Sequence, residues 1–389
     1  MEPAADLQSI IYLDNAATVY PKPEIICEQA MDLFRRYGVN PGRSGYDLCL
    51  VGGDLVEQTR KRLTSLFGGR SPERLCFAYN ASDALNILIQ GIVREGDHVI
   101  STVLEHNSVI RPLNHLVDLK HASVEWVGAA GGYVDPADVA RRFRKDTRLV
   151  VVNHGSNVIG TVQPIGEIGR LCRERGVLFV VDVAQTAGIV PIDVEAMCID
   201  ALAFTGHKSL LGPTGIGGVY VRDGVDVRPT RFGGTGVRSA HPYHLEEYPY
   251  RLEVGTLNVL GICGLLKAQD WIEERGMGSI HHREMEIFAR LQDGLAGIDG
   301  VTLHGTTSLE HRLPVLSFTV RGLDASDVGT MLDVDHSIAA RTGLECAPLI
   351  HDQMGTSPRG TVRFSVGPMN VMEHADAAVE AVGEIARGR

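Results

Sequence analysis

The chain has 389 residues, 44% of them hydrophobic, and a formal net charge of -11. That length carries a large core and predicts two domains, while the acidic balance argues against nucleic acid or an anionic membrane as the main partner. No apolar run approaches the ~20 residues that span a bilayer, and the opening MEPAADLQSI lacks a basic stretch followed by an apolar one, so a cytoplasmic chain is expected.

Tyr12 and Leu13 open a short strand that closes in the polar turn Asp14-Asn15-Ala16-Ala17. Pro23 starts a helix to about residue 37, with Ile26, Ala30, Leu33, Phe34 and Tyr37 on one face. NPGRSGY (40–46) reads as a loop. A second helix over 55–67 carries an apolar face of Leu55, Leu63, Leu66 and Phe67, with Glu57, Arg60 and Lys61 solvated. A strand at 75–78 leads through Asn80-Ala81-Ser82-Asp83 into a helix periodic in Leu85, Leu88 and Ile92. The free N–H groups and dipole of such a helix start suit a phosphate, to which Ser82 adds a hydroxyl; alternatively, Asn80 or Ser82 simply caps the helix.

A strand at 97–102 precedes Glu105-His106-Asn107, and another at 149–152 precedes HGSNVIGT, which holds Asn157. Ile165, Ile168, Leu171 and Cys172 mark a crossover helix into VLFVVDV (177–183), a continuous apolar run of the kind that fills a buried parallel strand. The alternation predicts an α/β fold with a mainly parallel sheet, helices on both faces and a ligand at the carboxyl ends of the strands.

Asp182 lies near such an end, where a carboxylate needs a partner because burying it alone is expensive. Lys208 follows the apolar run 201–204 and enters a Gly/Pro-rich turn. Only six of the 37 basic residues are lysines, and an amine can lose its proton and attack a carbonyl where a guanidinium cannot. The pair suits pyridoxal phosphate, with Lys208 as the Schiff-base lysine, Asp182 holding the pyridinium nitrogen protonated and Gln185 donating to the phenolic oxygen. The plainer reading of Lys208 is a surface lysine beside a turn.

Beyond a strand at 217–222, the Gly-rich RFGGTGVRSA (231–240) and EVGTLN (253–258), the texture changes. Helices at 258–275 and 279–297, a strand at 315–320, a helix at 326–332 and a strand at 361–366 predict a smaller α+β domain. Asn370 and Glu373 look like a capping box for a last helix. The expected division is 12–260 and 261–389, with the first 40 residues packing on the smaller part. Seven cysteines without a C-x-x-C pair exclude a simple disulfide framework and the common zinc or iron–sulfur patterns. Cys76, Cys172, Cys198 and Cys263 read as small buried hydrophobes. Cys346, in RTGLECAPL, lies outside any periodic segment.

DVAQTAG (182–188) followed by TGHKSLLGPTGIG (205–217) resembles the class V aminotransferase family of fold-type I pyridoxal phosphate enzymes, and within it the cysteine desulfurases and selenocysteine lyases. The resemblance runs from YLDNAAT (12–18) to RFSVGPMN (363–370). It implies that Ala81 and Ser82 bind the cofactor phosphate beside Thr205 and His207, and that Asn157 reaches the ring's edge near the phenolic oxygen and the substrate. His106 would lie over the pyridine ring and assist proton transfer, the other reading being a structural histidine. Thr256 would contact the phosphate of the partner subunit in a homodimer, or else cap the helix that starts near Asn258.

Arg363 would grip the substrate carboxylate in bidentate fashion, with Arg341 shaping the site; otherwise Arg363 is an exposed strand arginine. Cys346 would take sulfur from L-cysteine as a persulfide, leaving alanine, while Lys208 moves the Cα proton. Two positions depart from the family, which often has a His in place of Tyr46 and of Glu345. A carboxylate at Glu345 would oppose ionisation of the adjacent thiol. The short span from Arg341 to Thr361 resembles the short-loop desulfurases, so a sulfur-acceptor protein would dock over the site's mouth. Selenocysteine as substrate, and an aminotransferase or epimerase that leaves Cys346 unused, are the alternatives.

Overall fold

The valine-rich runs assemble into one seven-stranded sheet. The computed structural model describes residues 10–41 and 46–388, so most of the 40–46 loop lies outside the described residues. The chain opens with β1 (Ile11–Tyr12), α1 (Glu24–Tyr37) and α2 (Asp47–Leu66). It then alternates through β2 (Leu75–Ala78), α3 (Ala81–Ile92), β3 (Asp97–Thr102), α4 (Asn107–Asp118), β4 (Ala122–Val127), α5 (Pro136–Ala140), β5 (Thr147–Asn153), α6 (Ile165–Arg175) and β6 (Leu178–Asp182) to β7 (Ala201–Thr205) and β8 (Gly217–Val221).

The strand order is β2-β8-β7-β6-β5-β3-β4. All pairings from β4 across to β7 are parallel, and β8 alone runs against its neighbours. Alternate residues of β5 serve two cores: Val150 and Val152 join Leu63, Phe67, Ile262 and Leu265, while Leu149 and Val151 meet Leu85, Leu88, Val109 and Leu113. Burial on both faces explains why these strands read as unbroken apolar runs. Each fully buried Val or Leu contributes ~1.5–3 kcal/mol. β4, half-covered at the sheet's edge, and α4, interrupted by Pro112, were not legible as elements.

The rest of the chain runs through α7 (Val259–Arg275), α8 (Met277–Ala296), β9 (Val301–His304), β10 (Val315–Val320), α9 (Ala325–His336), β11 (Ile338–Ala339), β12 (Arg341–Gly343), α10 (Pro348–Met354), β13 (Thr361–Ser365) and α11 (Met372–Ala386). An antiparallel sheet, β12-β13-β10-β9, shares a core of Phe288, Leu291, Leu332, Phe318, Phe364 and Val382 with α8, α9 and α11. β1 pairs with β11, and Leu13 enters this same core. α7 instead sends Ile262 and Leu265 into the core of the large sheet.

Three local expectations are corrected. α2 starts at Asp47 rather than near 55, and its early turns contain Gly52 and Gly53, which hide the helical pattern. Arg60 is buried, not solvated, because its guanidinium meets the buried Glu253 at 2.7 Å. Asn370 forms no capping box, since α11 has no side-chain cap. Its Oδ1 accepts from the Gly367 N–H (2.8 Å) and from Asn15 Nδ2 (3.1 Å), while its own amide donates to the Tyr12 carbonyl (3.0 Å), tying the amino-terminal segment to the end of β13.

Candidate active site

The ends of β6 and β7 and the starts of α3 and α4 meet the loops of the small sheet around a cavity of about 320 Å³. Ala81, Ser82, His106, Asn157, Asp182, Gln185, Thr205, His207, Lys208, Arg341, Cys346 and Arg363 all line it; Thr256 does not. Gly188 (φ 91°) permits the close approach of the Asp182 and Lys208 segments, since a Cβ there would lie 2.5 Å from the Ser209 carbonyl.

The backbone just before Lys208 is pinned from the amino-terminal segment. The His207 carbonyl accepts from Lys22 Nζ (2.9 Å), Thr18 Oγ1 (3.1 Å) and the Val19 N–H (3.2 Å). Burial lowers the Lys208 ammonium to about 8; Asp182 opposes that shift and Arg363 reinforces it. Asp182 moves the other way, its carboxyl raised by burial against the Ala184 N–H at 2.9 Å and the charge of Lys208. An amine that loses its proton near neutral pH is the state a carbonyl-attacking lysine needs.

At the start of α3 the two readings of 80–83 are both realised. Asn80 caps the helix by accepting from the Asp83 N–H (2.9 Å), which leaves Ala81 and Ser82 facing the cavity with the helix's unpaired N–H groups. Thr205 Oγ1 and His207 Nδ1 line the same cavity, buried and without a partner. Buried polar atoms are rarely left so, and an oxyanion held in the cavity would give them a partner. Ser108, which sequence reasoning missed, adds its hydroxyl 2.5 Å from that of Ser82. It sits in the first turn of α4, so a reading that lacked the helix lacked the residue.

His106 is the N-cap of α4, its Nδ1 accepting from the Ser108 N–H at 3.1 Å. The neutral ring therefore carries its proton on Nε2. Burial, with Lys208 and Arg363, pushes the imidazole down to about 4. The histidine is thus both a structural cap and a neutral wall of the cavity.

On the small-sheet side Arg363 is buried, donating from Nη1 to the Asn157 carbonyl (2.9 Å) and from Nη2 to Asp14 Oδ1 (2.5 Å), with Nε unpartnered. Arg341 stands opposite it across the β12–β13 pair. The amides of Asn157 and Gln185, assigned above to a ring oxygen, donate here to the carbonyls of Glu345 (2.7 Å) and Ala16 (2.9 Å). Cys346 is exposed. The Glu345 carboxyl is turned away into the interior, its Oε2 2.7 Å from His351 Nε2. The carboxyl is thus paired with His351 rather than standing free beside the thiol.

Residues 11–377 match the Aminotransferase class-V family. The chain belongs to that family. Among similar proteins, a "Probable cysteine desulfurase" of Methanothermobacter thermautotrophicus is 34% identical over 98% of this chain and 96% of its own. One of Pyrococcus abyssi is 33% identical over 98% and 95%. The apo structure of a cysteine desulfurase from Thermococcus onnurineus superposes with a TM-score of 0.91 at 32% identity, covering 98% of this chain and 96% of that one. A cysteine desulfurase of Escherichia coli, in an S-sulfonic acid form, gives 0.88 at 26% identity, covering 99% and 96%.

Class-V aminotransferases are pyridoxal phosphate enzymes, and the residues present fit that group. The unpartnered Thr205 and His207 atoms and the α3 start suit its phosphate, buried Asp182 its ring nitrogen and Lys208 its aldehyde. Thr256 lies outside the cavity, exposed, beside Arg231 and Glu253. It does not cap α7, because Asn258 Oδ1 accepts from the Gly261 N–H at 2.9 Å. Cys198, expected to be buried, is half-exposed in a left-handed turn (φ 58°). Among the described residues no group of His, Cys, Asp and Glu is placed to hold a metal, and no helix is long and apolar enough to cross a membrane.

Proposed function

We propose that the chain is a pyridoxal phosphate-dependent cysteine desulfurase that converts L-cysteine to L-alanine and takes the sulfur as a persulfide on Cys346. The observation that carries this reading is that one cavity gathers an amine of lowered pKa, a buried carboxylate, a buried arginine and an exposed thiol. The relatives named above point the same way.

Bound pyridoxal phosphate supplies the electron sink that makes the Cα proton of an amino acid acidic. Arg363 holds the substrate carboxylate with its charge and its unpartnered Nε–H. Lys208 Nζ takes the Cα proton and returns it, and Asp182 stabilises the protonated ring nitrogen. His106, neutral, closes the wall without adding charge. The Cys346 thiolate then attacks the substrate sulfur. A sulfur–sulfur bond forms, the Cβ–S bond breaks, and its electron pair stays on the three-carbon fragment, which leaves as alanine after protonation. The net reaction is L-cysteine plus thiol to L-alanine plus persulfide.

The same reading includes a homodimer in which Thr256 reaches the partner's phosphate site. Exposure of Phe232 (73%) on the neighbouring Gly-rich segment and of Tyr243 (77%) just beyond it supports a covered surface there. An acceptor protein would collect sulfur from Cys346 at the cavity mouth. Cys27 and Cys346 are exposed and not joined in a disulfide, which supports a reducing, cytoplasmic setting. The working domain division is 12–260 and 261–389, although α7 packs Ile262 and Leu265 into the core of the large sheet. Alanine and sulfide release from L-cysteine in the presence of dithiothreitol tests the reading, and no alanine from L-cysteine sinks it. L-selenocysteine, assayed alongside, decides the substrate preference.

A further inference from the structure

The loop that carries Cys346 is bent against backbone preference. Glu345 (φ 42°) and Cys346 (φ 60°) are consecutive non-glycine residues in the left-handed region, which side chains avoid and which persists only where the surroundings hold it. Three ties hold it here. Asn157 Nδ2 donates to the Glu345 carbonyl at 2.7 Å, and the N–H of Asn107, the first residue of α4, donates to the Cys346 carbonyl at 2.7 Å. The third is the bond between the Glu345 carboxyl and His351 on α10, whose side chains are both fully buried.

We propose that the Glu345–His351 pair is the positioning device for Cys346: a buried hydrogen bond that keeps the loop in its left-handed bend and the thiol at the cavity, without adding net charge beside it. The proposal deepens the desulfurase reading and rests on it for its catalytic readout.

His351 is hydrogen-bonded at both ring nitrogens. Its Nδ1 lies 2.8 Å from Thr356 Oγ1, and that hydroxyl donates at 3.4 Å to the His351 carbonyl, so the ring proton sits on Nδ1. Nε2 and Glu345 Oε2 then share one further proton. Whether that proton rides on the carboxyl or on the ring, the pair sums to zero. The other charged groups bearing on Glu345 are Arg341 and Arg363, both positive, and Lys208 lines the same cavity.

The test compares the cofactor-loaded unmodified protein with E345A and E345Q. E345A lowers kcat for alanine formation about tenfold, the scale of one lost buried hydrogen bond, while KM for L-cysteine and the yellow absorbance of the cofactor stay within about twofold. Hydrogen–deuterium exchange across residues 341–354 speeds up by about tenfold in the same variant. E345Q, which keeps a donor toward His351, recovers both. An unchanged kcat in E345A overturns the proposal. So does an E345Q protein as impaired as E345A, since charge rather than the hydrogen bond would then be the agent. If the unmodified protein makes no alanine, the desulfurase reading fails separately, and unchanged exchange in E345A still overturns the positioning of the loop.

Discussion

The two walls of the cavity are built on different principles. The Lys208 wall is made of strand ends and helix starts on the large sheet: Asp182 ends β6, Thr205 ends β7 and Ser82 sits in the first turn of α3. Its positions follow from the parallel sheet itself, whose strand ends and helix dipoles converge on a ligand. The Cys346 wall is a left-handed loop held by hydrogen bonds to Asn157, Asn107 and His351. The first wall is set by the sheet, with the His207 carbonyl tied in addition to the amino-terminal segment, whereas the second depends on a few side-chain ties.

The largest effect expected is on the rigid wall. K208A removes the amine that moves the Cα proton, and turnover falls by about 10³-fold or more, measured as alanine from L-cysteine. R363K comes next. A lysine cannot reproduce the forked contacts to the Asn157 carbonyl, Asp14 and a carboxylate, so kcat/KM for L-cysteine falls by about 10²-fold with little change in cofactor content. T205V deletes one unpartnered hydroxyl, and the dissociation constant for pyridoxal phosphate, from absorbance titration of the apoprotein, rises about tenfold.

A smaller effect concerns pH. The Lys208 ammonium is lowered from its ordinary 10.5 to about 8, chiefly by burial. The neutral amine is the attacking form, so the rate at which the apoprotein takes up pyridoxal phosphate rises with pH and levels off above about 8. An undisturbed lysine would keep accelerating toward 10.5. Asp182 raises this pKa, so D182N moves the midpoint lower still. A midpoint that stays near 10.5 would show that the wall is less enclosed than the structure has it.

The comparison also explains what could be read in advance. The strands at 75–78, 97–102 and 315–320 match β2, β3 and β10, because burial on both faces or strict alternation leaves a mark in the residues themselves. Lys208, Asp182 and Ser82 were legible for a related reason: each follows a recognisable strand at its carboxyl end. Ser108 was not, since Pro112 breaks the pattern of α4. Sequence adjacency sets Glu345 beside the thiol but gives its side chain no direction. Its direction is set by His351 on α10. Arg60 and Glu253, 193 residues apart, were likewise invisible as a pair.

The most direct test of the central claim, that one wall does the proton chemistry and the other takes the sulfur, is made on C346A. Exchange of the Cα proton of L-alanine in deuterated water and alanine formation from L-cysteine are followed by NMR on one cofactor-loaded sample. The account predicts exchange at the unmodified rate, within about twofold, with alanine formation reduced by about 10²-fold or more. Undiminished alanine formation would contradict Cys346 as the sulfur acceptor, and loss of exchange along with alanine formation would contradict the separation of the two walls.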